Sequence, residues 1–240
     1  MMFEVVTLFP DMFRSVLEAS LLGKAIEKGT LAVTLTDLRA FGLGTHRSVD
    51  DSPYGGGAGM VLRPDPLVQA IESIEAARGP AHKVILTPTG SRLDQARVQT
   101  LARVPRLMLI CGRYEGFDAR VRNFVDDELS VGDFVLSGGE LGAMIVVDAV
   151  SRLLPGVLGN AASTSEESFE RGLLEYPHFT RPPSFRGLDV PEVLLSGDHE
   201  RVRRYRRRES LLRTRERRPD LFSLHGLTDE DRRLLAGEEP

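Results

Sequence analysis

Short apolar runs alternate with amphipathic stretches through the first two thirds of the chain. Phe3–Phe9 (FEVVTLF) is rich in aromatic and β-branched residues and predicts a strand. Asp11 then stands where a helix cap is wanted, and Met12, Val16, Ala19 and Leu22 follow near helical spacing. Leu31–Leu38 predicts a second strand and residues 66–77 a helix. Val84–Leu86 and Leu107–Ile110 are brief apolar runs without alternation, separated by a helix from about 94 to 103. Such runs suit strands covered by helices on both faces. The alternation predicts an α/β domain with a mostly parallel sheet. A helix from about Gly139 to Leu153 follows, stopped by Pro155-Gly156.

The pattern then changes. Asn160–Ser168 (NAASTSEES) is small, polar and weakly hydrophobic, as in a linker or mobile loop. Beyond about residue 190 the chain is helical in pattern and rich in arginine. The expected organisation is a domain over 1–159, a flexible linker over 160–172, and a small all-helical domain over 173–240. Hydrophobic residues make up 41% of the chain, enough for a packed core, and no apolar run approaches the roughly 20 residues of a membrane helix. The start, Met1-Met2-Phe3-Glu4, has no basic stretch before an apolar core, so no signal peptide is expected. A sole cysteine, Cys111, cannot pair within the chain, which fits a reducing, cytoplasmic setting. Cys111 is expected to be a buried small hydrophobe. His46, His82, His178, His199 and His225 lack ligand spacing, so no metal is expected.

A formal net charge of −4 argues against a nucleic-acid partner, but its distribution argues for one. Ten arginines stand between Arg201 and Arg218, against Glu209 and Glu216. Such a run either meets phosphates or forms a solvated, internally paired face. Four loops carry the candidate chemistry. Asp50-Asp51-Ser-Pro-Tyr54-Gly55-Gly56-Gly57-Ala-Gly59-Met60 lets backbone approach a ligand, although a flexible surface loop has the same composition. Leu86-Thr87-Pro88-Thr-Gly90, Cys111-Gly112-Arg-Tyr114-Glu115-Gly and Ser130-Val131-Gly132-Asp-Phe134-Val-Leu136-Ser-Gly138-Gly139-Glu each follow or flank an apolar run. In open α/β sheets ligands sit beyond the carboxyl ends of strands. Neither a Walker A loop nor the dinucleotide fingerprint is present. Arg152 reads by itself as a cation near a helix C-terminus, and Glu166 and Glu167 as solvated charges.

Taken together, DDSPYGGGAGM, CGRYEGFDAR, SVGDFVLSGGE, RLLPGVLG, LLEYPHFTRP and VPEVLLSGDH closely resemble the bacterial tRNA (guanine-N1)-methyltransferase family, in the family's order, from about Phe3 to beyond Arg218. The resemblance implies a knotted (SPOUT) methyltransferase: an N-terminal domain with a deep trefoil knot and a helical domain that grips the anticodon stem-loop of tRNA. It implies an obligate homodimer with shared active sites. It implies S-adenosylmethionine held by Leu86, Thr87, Pro88, Gly90, Gly112, Tyr114, Glu115, Ser130, Val131, Gly132, Phe134, Leu136, Gly138 and Gly139. The target is the guanine just 3′ of the anticodon, position 37. Asp50, Asp51, Tyr54, Gly55, Gly56, Gly57, Gly59 and Met60 are expected to contact the target base and its neighbour, with Arg201, Arg203 and Arg204 on phosphates. Glu115 either accepts from the guanine's donor edge or braces the knot.

The chemistry constrains the remaining roles. Guanine N1 carries a proton at neutral pH, so a base must take it as the N1–CH₃ bond forms, and a carboxylate can serve. Charge then moves toward O6, which an arginine stabilises. By resemblance that arginine is Arg152 and the base is Glu167. The family usually has aspartate there, so this chain departs by one methylene, and Glu166 is the neighbouring alternative. Competing readings are a knotted methyltransferase acting on another RNA and a non-catalytic RNA-binding protein.

Overall fold

The computed structural model describes residues 1–158 and 167–237. The chain falls into two compact units, Met1–Gly159 and Asn160–Pro240.

The first unit opens with β1 (Met2–Thr7), a 3-10 turn (Pro10–Phe13), α1 (Arg14–Leu17), α2 (Ser20–Glu27) and β2 (Ala32–Asp37). The helix expected after Asp11 is thus broken. Asp11 does not cap it; Phe9 holds that position without a side-chain cap, and Asp11 accepts from Arg14 at 3.4 Å inside the turn. Ala19 is extended and Ser20 takes a φ of 56°, so the helix breaks there and restarts. Both pieces then bury their apolar side chains, Phe13 from one and Leu22 and Ala25 from the other.

A hairpin of β3 (Asp50–Asp51) and β4 (Val61–Leu62) carries the glycine loop at its tip. Next come α3 (Pro64–Arg78), β5 (His82–Arg92), α4 (Gln95–Leu101), β6 (Arg106–Cys111), β7 (Asp127–Ser130) and α5 (Glu140–Ser151). The five-stranded sheet has the order β2-β1-β6-β5-β7 and is parallel throughout. Side chains alternate between its faces. Phe3, Val5, Leu107, Leu109, Cys111, Val84 and Leu86 join α2, α4 and α5 in one core, and Val6, Met108, Ile110 and Ile85 join α3 in another. This double burial is why the strands read as continuous apolar runs. Segment 86–90 lies inside β5 rather than beyond it. Pairing with β7 stops at Leu86 and resumes at Ser91, around Pro88, which has no N–H to donate.

The second unit is built on α7 (His199–Arg217), preceded by β8 (Ser184–Phe185), β9 (Leu188–Asp189) and α6 (Glu192–Leu195) and followed by α8 (Pro219–Leu224) and α9 (Asp229–Ala236). The expectation of an all-helical region is corrected by the β8–β9 hairpin. Its two-residue turn, Arg186-Gly187, takes φ of 54° and 79°, the left-handed pair that matches strand twist. Of the segment expected to be a linker, 160–166 lies outside the described residues, Glu166 with it. Residues 167–172 form a turn in which Phe169 N–H donates to Leu173 O at 2.8 Å.

Arg207 on α7 grips Asp231 on α9 through Nε at 2.7 Å and Nη2 at 2.9 Å, and its Nη2 lies 3.0 Å from His225 Nε2. Burial pushes the Asp231 carboxyl up, but hydrogen bonds from Arg207 and Thr228 outweigh that and hold it at about 2. The resulting stabilisation is complete above about pH 4 and is lost as pH falls toward 2, because the folded carboxyl titrates below the unfolded one. Asp231→Ala strands a half-buried guanidinium and is expected to cost about 3 kcal/mol in urea denaturation at pH 7, with a smaller difference from the parent at pH 3.

Candidate active site

Three stretches converge at one end of the parallel sheet and enclose a cavity of about 290 Å³. Of the residues expected to hold a cofactor, all but Gly90 and Gly132 line it. Gly90 instead passes against β7, where a Cβ would stand 2.4 Å from Leu129 N, so the glycine serves strand packing. Gly132 is turned onto Phe134, which itself lines the cavity.

The backbone around residue 112 and that around 139 are in direct contact. Gly139 N–H donates to Gly112 O at 2.8 Å, and Arg113 bridges to Gly138. A Cβ on Gly139 would lie 2.7 Å from Cys111 Cα and 2.8 Å from Gly112 N. Behind this contact Glu140, 1% exposed, accepts from Thr7 Oγ1 at 2.8 Å and from Arg113 Nε at 2.9 Å. Arg113 also donates to Ser137 O at 3.2 Å and lies over the Phe9 ring at 4.4 Å. Burial, and then the Glu140 charge, push the neighbouring Cys111 thiol up, so it stays protonated and inert.

The glycine hairpin reaches the same cavity through Glu115. Glu115 N–H donates to Met60 O at 2.9 Å, and Leu62 N–H to Gly116 O at 2.9 Å. Gly59, at φ 81°, lies so close that a Cβ would stand 2.5 Å from Glu115 Oε1. Glu115 lines the cavity while remaining exposed. Asp50 is half-buried in β3, and Asp51 pairs with Arg63 at 2.9 Å. Tyr54, wholly exposed at the hairpin tip, and Gly55, Gly56 and Gly57 stand apart from the cavity lining.

Arg152 and Glu167 stand in different units. Arg152 caps the C-terminus of α5, half-buried. Glu167, also half-buried, lines a cavity of about 400 Å³ in the second unit with Arg171, Tyr176, His199, Arg203 and Arg206. The arginine run is divided. Arg203 is paired with Glu200 and Glu230, both at 2.7 Å, and hydrogen bonds to those carboxylates raise its pKa further. Arg208 and Arg218 meet Glu209 and Asp220, and Arg206 lies over the Tyr176 ring at 4.9 Å. Among the described residues, no salt bridge joins Arg201, Arg204 or Arg215. Among the same residues no helix is long and apolar enough to cross a membrane, and no three His, Cys, Asp or Glu side chains form a metal cluster.

The sequence matches the family described as tRNA (Guanine-1)-methyltransferase TrmD over residues 1–224. The chain belongs to this family. A tRNA (guanine-N(1)-)-methyltransferase from Anaeromyxobacter sp. strain K is 58% identical over 239 residues, covering 98% of this chain and 97% of its own. Those of Myxococcus xanthus and Geobacillus kaustophilus are 56% and 51% identical, each over 98% of this chain and over 96% and 97% of their own.

The cavity also takes Thr89, Arg113, Gly116, Phe117, Leu129, Val135, Ser137 and Gly142, which sequence reasoning did not select. Phe117 and Leu129 carry only the apolar signal of a core residue. Arg113 did have a signal, since it sits between the two chosen residues Gly112 and Tyr114 and Glu140 closes the next loop. Because Gly139 has an ordinary helical backbone, a side chain there is opposed by space alone. Gly139→Ala is therefore expected to force the two loops apart and to lower stability by about 1–3 kcal/mol, read by chemical denaturation. Gly156→Ala, where a Cβ meets open space, tests backbone strain without overpacking, and its loss should be smaller.

Proposed function

We propose that this protein transfers a methyl group from S-adenosylmethionine to N1 of guanine 37 in tRNA, with Glu167 as general base and Arg152 stabilising charge at O6. Family membership supports the tRNA and the guanine N1; the observation that carries the donor is the cavity between the 86–89, 112–116 and 130–139 stretches. Its size lies near the lower end of small-molecule sites, about 300 Å³. Its lining suits the donor: apolar Leu86, Val131 and Leu136 for the faces of a purine, glycine backbone at Gly112, Gly138 and Gly139 for its edges, and hydroxyls of Thr87 and Ser130.

The bound donor supplies an electrophilic methyl on a sulfonium. The residues of this chain supply the rest. Glu115 accepts from the guanine's donor edge, next to the Gly59 backbone. The Glu167 carboxylate removes the N1 proton as N1 takes the methyl and the carbon–sulfur bond breaks, leaving a neutral N1-methylguanine and a neutral thioether. The Arg152 guanidinium faces the charge that builds at O6 before the methyl is taken. On this reading the chain after β7 threads the knot where Gly139 presses on Gly112. A second copy then covers the exposed apolar side chains Phe134, Val135, Leu141 and Ile145 of the first unit. The protein works in the cytoplasm.

Glu167→Gln keeps the shape and removes the proton acceptor. Single-turnover methyl transfer at saturating tRNA and donor is expected to fall by roughly 100-fold or more, with donor affinity unchanged. Glu167→Asp should keep substantial activity, and Arg152→Ala should also lose rate. A parental rate for Glu167→Gln would remove it from the mechanism.

The division of the arginines gives a second expectation. Arg201→Gln and Arg204→Gln should each flatten the slope of log affinity against log salt by about 1, measured by tRNA binding titrations. Arg203→Gln should mainly cost stability, because its charge is already committed to Glu200 and Glu230.

A further inference from the structure

Helix α7 carries two buried hydroxyl side chains on one face, Ser210 and Thr214, 9% and 0% exposed. They are four residues apart and so stand above one another. Both are spent on the backbone of a single residue of the preceding segment, through its two flanking peptide groups. Leu174 N–H donates to Thr214 Oγ1 at 2.8 Å, and Ser210 Oγ donates to Leu174 O at 2.5 Å. Thr214's own proton goes to Ser210 O at 2.7 Å, which fixes the hydroxyl so that a lone pair faces Leu174. Beside them Arg213 Nη1 donates to Glu175 O at 3.3 Å. A helix needs no such groups to pack, and buried aliphatic side chains would do it without polar atoms to satisfy.

The gripped segment leads straight to Glu167. Glu175 N–H donates to Ser168 Oγ at 3.0 Å, and Phe169 N–H donates to Leu173 O at 2.8 Å. Ser168 is the residue after Glu167. Phe169, next after Ser168, is held at φ 78°, a conformation a bulky side chain keeps only when its surroundings enforce it. Leu173 is buried beneath the turn. Helix α7 thus holds Leu174, Leu174 and Glu175 hold the turn, and the turn holds the backbone of Glu167.

We infer that Thr214 and Ser210 are positioning residues, which set where the Glu167 carboxylate stands when it takes the N1 proton. The inference rests on the role proposed above for Glu167. A general base works only within hydrogen-bond reach of its proton, and a misplacement of about 1 Å can cost about 100-fold in rate.

Thr214→Val keeps the shape and removes the acceptor for Leu174 N–H. With a tRNA carrying guanine 37 and S-adenosylmethionine, both saturating, its single-turnover rate constant is expected to fall by about 10- to 100-fold. The dissociation constants for tRNA and donor should change by less than about twofold, and Thr214→Ser should restore the rate. A purely architectural role would lower the melting temperature and the reacting fraction and leave the rate constant of the folded protein unchanged; that result overturns the inference. If Thr214→Val does not fold, Ser210→Ala, which releases only the carbonyl, carries the same test.

The decisive measurement is the double variant. In a Glu167→Gln background, Thr214→Val should slow the reaction no further, since the group being positioned is gone. If Glu167→Gln is slow and Thr214→Val slows it again by its full factor, the inference fails and the general base stands. If Glu167→Gln alone reacts at the parental rate, the base assignment fails and the inference falls with it.

Discussion

The Glu140 carboxylate is the point on which the first unit depends. Its two oxygens receive a hydroxyl from β1 and a guanidinium from the loop after β6, and it sits in the first turn of α5, where a negative charge is favoured. Thr7 and Arg113 are far apart in sequence and are brought together by parallel pairing of β1 with β6, while the contact of Gly139 with Gly112 brings Glu140 to them. A charge this buried is tolerable only because every partner is present. Arg113 in turn lies on Ser137 and over Phe9. The shape of the cavity therefore follows from an ion pair that lines it on one side and is buried on the other.

Much of this unit was legible because its strands are covered on both faces. Val84–Leu86 and Leu107–Ile110 had no other plausible home than the middle of a parallel sheet. What the pattern concealed was local. The break at Ala19-Ser20 depends on which side chains reach the core, and apolar spacing reads the same across a break as through a continuous helix. The tiny strand β7 is short and half polar, as DELS, and shows itself only through its pairing with β5. The resemblance to a family picked out the cavity loops well because their glycines are demanded by close backbone contact. It also took in Gly90 and Gly132, which stand outside the cavity lining and pack against Leu129 and Phe134.

The second unit was legible as helical and basic, but its charges were not. A run of arginines in a sequence shows no partners, and the acids that claim Arg203 and Arg207 come from Glu230 and Asp231, more than twenty residues on. The small clamp of Ser210 and Thr214 was likewise invisible, since hydroxyls within a helix look like surface residues until the segment they hold is seen.

Among the described residues six arginines of α7 form no salt bridge, and three of them share one side of the helix. Arg201, Arg204 and Arg215 fall within about 60° of one another around α7, at 3.6 residues per turn, and span about 21 Å along its axis. The helix is continuous over that distance. The separations along this row are fixed by backbone geometry. Such a row measures the contour of a polyanion and is indifferent to its sequence. On the function proposed, this lets one helix accept anticodon arms of many sequences while the choice of nucleotide is left to the cavity in the other unit.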